Sequence, residues 1–283
     1  MTQTPRIFLI DNGSLRADAV WALRGLAAQL SERSGVLVEP VSLLHSSKVP
    51  SAALGGVAAQ VVKPTLRRLV QAGERTFVFV PLFLGPSRAI SDYLPQLITE
   101  ARELAPDLNV VVADTLAGRN MDAPDKRLAE MLVAHVRQAM QQSILSQPKV
   151  AMVDHGTPAP EVNRVRNSVA AQMAELLQQD VLACSMERRD GAEYDFNQPL
   201  LEQVDQLDGW GTAADVVLAL FFLLPGRHAG ADGDVAEICD GLTARGAVKS
   251  VVRTALLHEH PRLLDLLADR LAAALDQLAE KVD

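Results

Sequence analysis

The sequence predicts an α/β protein of two duplicated domains. Each is expected to be a four-stranded parallel sheet flanked by helices, with a ligand cleft at the strand carboxyl ends or between the halves. Three observations lead there. Short apolar runs alternate with amphipathic stretches along the whole chain, the pattern of parallel strands joined by crossover helices. The apolar runs stop at turns rich in Gly, Pro, Asp and Asn. The same order of elements and turns occurs twice.

Residues 6–10 have the form of a buried strand ending at Asp11-Asn12-Gly13-Ser14, and the helix that follows carries Leu23, Leu26, Ala27 and Leu30 on one face. Residues 36–43 form a second strand. Residues 52–70 have helical spacing, with Pro64 as a kink or break. A third strand, 76–84, ends at Gly85-Pro86-Ser87-Arg88-Ala89, and a helix then runs to about Leu104. A fourth strand spans 108–113, and a helix over 123–140 closes the half. The polar stretch 141–149, with Pro148, is the linker, so the domains are expected at 1–141 and 149–283.

The second half repeats the order. Strand 150–153 leads to a helix with Val162, Val165, Val169, Met173 and Leu176 at steps of three and four. Strand 181–186, a helix over 198–207, strand 215–224, helix 234–242 and strand 248–255 follow. The last helix, 261–278, carries Leu264, Leu267, Leu271, Leu275 and Leu278 in register.

The halves superpose through their turns. Asp11-Asn12-Gly13-Ser14 matches Asp154-His155-Gly156-Thr157. Ser42-Leu43-Leu44 matches Ser185-Met186-Glu187, and Pro86-Ser87-Arg88-Ala89 matches Pro225-Gly226-Arg227-His228. The scaffold persists while the chemistry does not: Asn12, Leu44 and Ala89 stand where His155, Glu187 and His228 stand. Three reactive side chains missing together from one copy suit a duplication in which only the second copy, 149–283, keeps a site.

Residues just past the carboxyl ends of parallel strands line the ligand crevice of an open α/β sheet. A single histidine there is more often a turn or capping residue. Two histidines and a glutamate leaving three strands at one edge suggest more. Imidazole suits Fe, Co, Ni, Cu and Zn, and two His with one Glu hold a divalent ion with positions left open. The other histidines read as structural: His135 on a helix, His45 in a turn, and His258 and His260 at the entry to the last helix. Arginines recur nearby. Arg164, Arg166, Arg188, Arg189 and Arg227 are read in part as solvated charge and in part as carboxylate contacts, which a planar guanidinium makes in bidentate fashion.

Bulk properties exclude several classes. The chain has 283 residues, 48% hydrophobic and 22% charged, which suits a globular protein with a substantial core. A net charge of −8 without a basic stripe argues against nucleic acid. The longest apolar run, 216–224, is too short to span a bilayer. The leading Met1-Thr-Gln-Thr-Pro-Arg6 does not read as a signal peptide. Cys184 and Cys239, far apart and in apolar contexts, read as free thiols of a reducing cytoplasm. No G-x-S-x-G elbow and no P-loop occurs, and Gly209-Trp210-Gly211 precedes a strand instead of opening a helix.

The segments Asp154-His155-Gly156-Thr157-Pro158 and Phe221-Phe222-Leu223-Leu224-Pro225-Gly226-Arg227-His228 resemble class II chelatases of the CbiX type, the sirohydrochlorin cobaltochelatases and ferrochelatases. The resemblance is strong over 150–238 and weaker over 7–94, where Val80-Pro81-Leu82-Phe83-Leu84 survives without histidines. It implies a chelatase-like fold and a lyase-class enzyme of cobalamin or siroheme biosynthesis. Such an enzyme inserts Co²⁺ or Fe²⁺ into sirohydrochlorin without ATP, so the metal is a substrate and no cofactor stays bound. It implies His155 and His228 as metal-binding and catalytic residues, with Glu187 as the matching acid. Arg227, Arg188, Arg164 and, in the first half, Arg88 are the expected contacts to the polycarboxylate macrocycle. In two-domain relatives the histidine pair lies in the first half; here it lies in the second. The first half is then a lid or wall, and one chain with two domains suits a monomer or a homodimer. A non-catalytic metal or tetrapyrrole carrier is the alternative, since the same residues would serve it.

Overall fold

A computed structural model describes residues 4–211 and 214–281; Met1 to Gln3, part of the leading segment read above, lie outside it. The first four strands are β1 (Arg6–Asp11), β2 (Val38–Ser42), β3 (Thr76–Pro81) and β4 (Asn109–Val112). They alternate with α1 (Ala17–Ser34), α2 (Val62–Gln71) and α3 (Leu94–Leu104), and α4 (Arg127–Gln142) follows. The repeat runs β5 (Lys149–Asp154), α5 (Pro160–Leu177), β6 (Val181–Ser185), β7 (Asp215–Leu220), α6 (Asp234–Ala244), β8 (Ser250–Arg253) and α7 (Arg262–Glu280).

Two four-stranded sheets result, in the orders β2-β1-β3-β4 and β6-β5-β7-β8. Every pairing is parallel. The apolar runs form strands because both sheet faces are covered: Val150 through Val153 and Val217 through Ala219 are buried. The chain steps from β5 to one neighbour, β6, and later returns on the other side as β7. The resulting switch point lies at the carboxyl ends of β5 and β7, where open α/β sheets bind ligands.

Several sequence-based boundaries move. The helical spacing over 52–70 resolves into a 3₁₀ turn at Ser51–Leu54 and a helix that starts only at Val62. Pro64 therefore sits in the first turn, where its missing N–H has no intrahelical acceptor to lose. The segment read as a helix over 198–207 is a 3₁₀ turn, Leu201–Gln206. Strand β7 ends at Leu220; the Phe221 N–H still donates to the Val153 carbonyl at 2.9 Å, and 222–224 leave the sheet. The buried stripe of α7 is Leu263, Leu266, Leu267, Leu271, Ala274 and Leu278, so Leu264 and Leu275 lie at its margin.

Packing also groups the chain differently from the repeat. One compact unit is Met1–Arg119 with Leu264–Asp283; the other is Asn120–Leu263. In the second unit α4 packs against β7 and α5, burying Leu128, Met131, Leu132 and Val136. In the first, Arg270 of α7 donates to the carbonyls of Thr115 and Leu116, and Arg33 of α1 pairs with Asp265 at 2.6 Å. Among the described residues, no helix is long and apolar enough to cross a membrane.

Candidate metal centre

The turn after β5 begins with Asp154, whose carboxylate is buried against the sheet. Its Oδ1 accepts from the Ser185 hydroxyl at 2.5 Å and from the Gly156 N–H at 3.1 Å. Burial pushes this carboxyl above its ordinary range, and the Ser185 hydroxyl and the charge of Arg166 pull it back. Arg166, read from the sequence as a crevice arginine, is only 2% exposed. Its guanidinium reaches Ser185 Oγ at 2.6 Å and the Asn197 carbonyl at 2.8 Å. It braces the strand ends from inside and cannot face a ligand.

Gly156 turns the chain with φ of 91°, and a Cβ there would lie 1.9 Å from the Glu187 carbonyl oxygen. Only glycine permits that approach. The approach lets the Glu187 N–H donate to the His155 carbonyl at 3.2 Å, which ties the β6 turn to the β5 turn. The third turn, after β7, carries His228.

These three turns bring the predicted residues together. The rings of His155 and His228 lie edge to face with centroids 4.4 Å apart. Glu187 Oε1 is 3.4 Å from His155 Nε2. His155 Nδ1 lies 2.9 Å from the Gly156 carbonyl, and His228 Nδ1 lies 2.6 Å from Asp234 Oδ2. A carbonyl and a carboxylate only accept, so each Nδ1 carries a hydrogen, and in a neutral ring that leaves the lone pair on Nε2, the tautomer that ligates a metal. Two imidazole rings and a carboxylate thus lie together at a partly exposed edge, and all three groups are of types that bind cations. Among the described residues no three His, Cys, Asp or Glu side chains close on one point to hold a metal by themselves.

The arginines divide. Arg227 stays 81% exposed beside His228, its Nε 3.6 Å from Asp234. Arg164 is exposed on α5, near Asp122 and Glu161 at 4.0 and 3.9 Å. Arg188 is half-buried and spends hydrogen bonds on the Arg189 and Gly191 carbonyls of its own loop. Arg88 is exposed on the β3–α3 turn of the other unit. Sequence reasoning missed Asp234. An acidic residue in a first helical turn is common, so it drew no attention.

The remaining histidines are elsewhere. His135 is buried on α4, with its ring 5.3 Å from that of His260. His260 Nδ1 accepts the Arg262 N–H at the start of α7, and His45 is an exposed turn residue with φ of 63°. Both cysteines are buried and free, and burial raises their thiols far above the usual range.

The family model for CbiX matches residues 6–139 and again 149–274. Among solved structures, SirB from Bacillus subtilis with Fe³⁺ is similar at 15% identity and a TM-score of 0.66, covering 96% of each chain. The sirohydrochlorin chelatase SirB from Bacillus subtilis subspecies spizizenii in complex with cobalt is similar at 14% identity and a TM-score of 0.65, covering 96% of this chain and 95% of that one. CbiX, the terminal enzyme for biosynthesis of siroheme in denitrifying bacteria, is similar at 15% identity and a TM-score of 0.56, covering 95% and 99%. Among curated proteins, none matches the sequence.

Proposed function

Because the chain belongs to the CbiX family, we propose that it is a sirohydrochlorin chelatase, inserting Co²⁺ or Fe²⁺ into the tetrapyrrole without ATP. The observation that carries this reading is the His155–His228 pair at the β5/β7 switch point, with Glu187 on the first ring. Fold likeness alone would not distinguish an active copy from a worn one, and the first repeat has no such pair.

In this reading the two Nε2 atoms take the incoming ion and replace part of its water shell. The open positions admit the macrocycle nitrogens. Metal insertion releases two pyrrole N–H protons; Glu187, beside His155, is placed to accept one, and the other passes to solvent water at this exposed edge. Arg227, Arg188, Arg164 and Arg88 are the proposed partners of the macrocycle carboxylates. Arg227, the most exposed of those in the Asn120–Leu263 unit, has the freest guanidinium. On a chain of net charge −8, an exposed guanidinium such as that of Arg227 is what would draw a polyanion to the ion.

The test is anaerobic incubation of sirohydrochlorin with each metal, followed by the visible spectrum of the product. We expect many metallated products per chain, and a loss of at least about 100-fold in His155→Ala and in His228→Ala. Full rates in both variants would refute the site. A single stoichiometric uptake with no turnover would make the protein a carrier.

A further inference from the structure

We propose that Asp234 is a positioning residue for His228 that sets the strength with which the site takes its metal. The inference rests on the reading of His155 and His228 as the ligands. The two imidazoles are held differently. His155 Nδ1–H donates to a neutral acceptor, the Gly156 carbonyl, on its own turn. His228 Nδ1–H donates to a carboxylate six residues on, at 2.6 Å, a short charge-assisted bond. A carboxylate on the far nitrogen of a ligating imidazole fixes its tautomer and ring orientation and makes the near nitrogen a better donor.

The backbone supports this function. Asp234 is the first residue of α6, and the helix docks on the turn that carries His228. The Asp234 N–H donates to the Arg227 carbonyl at 3.3 Å, and the Val235 N–H to the His228 carbonyl at 3.1 Å. The side chain therefore leaves a fixed point within reach of the His228 ring. Arg227 Nε, 3.6 Å from the same Oδ2, faces it from the solvent side.

The repeat offers an independent observation. The superposition that puts Ala89 on His228 puts Pro95 on Asp234, six residues further in both copies. In the first copy the chain is already helical at that point, since a π-helical segment, Ala89–Tyr93, runs straight into α3. The aligned carboxylate is absent where the imidazole is absent.

The test uses the full chain and Co²⁺ alone, with no tetrapyrrole, read by the visible absorption of bound cobalt and by calorimetry. Asp234→Ala is expected to weaken Co²⁺ binding by about 10- to 100-fold and to shift the cobalt spectrum, with little change in thermal unfolding. Asp234→Asn keeps an acceptor for Nδ1–H but loses the charge, and is expected to fall between Ala and the parent. If Asp234→Ala and Asp234→Asn bind cobalt as the parent does while His228→Ala does not, the positioning role is wrong and the ligand assignment stands. If His155→Ala and His228→Ala also bind like the parent, the ligand assignment itself has failed. Should Asp234→Ala unfold, the Asn variant carries the comparison alone: parent-like affinity and spectrum would overturn the proposal.

Discussion

At the residue scale, the two copies of one aspartate show what the duplication changed. Asp154 is buried, but its charge is met by Arg166 and the Ser185 hydroxyl. Asp11, its counterpart, is equally buried, and Leu23 stands where Arg166 would be. Asp11 Oδ1 has no hydrogen-bond partner among the described residues. Burial pushes its carboxyl up to about 6, and the Ser42 hydroxyl and the Gly13 N–H only partly oppose this. The folded state thus binds this proton more tightly than the unfolded chain does. The sign follows from linkage: the contribution is fully present below the unfolded value near 4 and is lost as pH climbs through about 6. At about 1.4 kcal/mol per unit, the loss is about 3 kcal/mol by pH 8. Asp11→Asn should remove that slope. Urea unfolding of parent and variant at pH 4.5 and pH 8 checks it: the stability difference between the two proteins should move in favour of Asn at the higher pH, and an unchanged difference would contradict the assignment. None of this was legible in the sequence, where Asp11 and Asp154 look alike and Arg166 reads as one more crevice arginine. A helical register puts a side chain on a face but does not say that the face ends beneath a strand.

Among the elements, the turns after β5 and β1 carry the positional information. Gly156 and Gly13 both have positive φ, and a Cβ would meet the carbonyl oxygen of Glu187 at 1.9 Å and of Leu44 at 1.7 Å. Alanine at either site must push one strand end away from its neighbour, at a cost of at least about 1–2 kcal/mol from the backbone conformation alone. The expected outcomes differ in function. Gly156→Ala should lose both stability and Co²⁺ binding, because the β5 turn holds His155 and pairs with the backbone of Glu187. Gly13→Ala should lose stability and keep the cobalt isotherm. Equal loss of metal binding in both would mean that the turn geometry is not what places the ligands. This scale was the most readable from sequence. Alternating apolar runs and turn residues gave every strand among the described residues, and matching turns led to the three residues proposed for the site, because strand ends and tight turns are written in short local patterns. The misread segments are 52–70 and 198–207, where helix-like spacing covers short 3₁₀ turns. Apolar spacing reports which side chains are buried, and a 3₁₀ turn can bury the same ones.

For the whole chain, the sequence repeat and the packing units part company at the last helix of each half. A stripe of leucines announces that a helix face is buried but not which sheet buries it, and that choice is tertiary. Helix α4 belongs in sequence to the first half, yet it lies in the Asn120–Leu263 unit against β7 and α5. A fragment cut at the repeat boundary, 149–283, would expose the surfaces that Leu128, Met131, Leu132 and Val136 cover. At about 1.5–3 kcal/mol for each large apolar side chain, that forfeits about 6–12 kcal/mol, comparable with the total stability of a typical domain. The same fragment would carry α7 away from the residues whose carbonyls Arg270 satisfies. A fragment covering 120–263 keeps α4 with His155, Glu187, His228 and Asp234, and it leaves out α7 from Leu264 onward. We therefore expect 120–263 to unfold cooperatively and to bind Co²⁺, and 149–283 to show neither a cooperative transition nor metal-dependent absorption. Calorimetry and the cobalt spectrum of the two fragments decide it. A stable 149–283 fragment would show that the buried face of α4 is dispensable and that the repeat, not the packing, marks the folding unit.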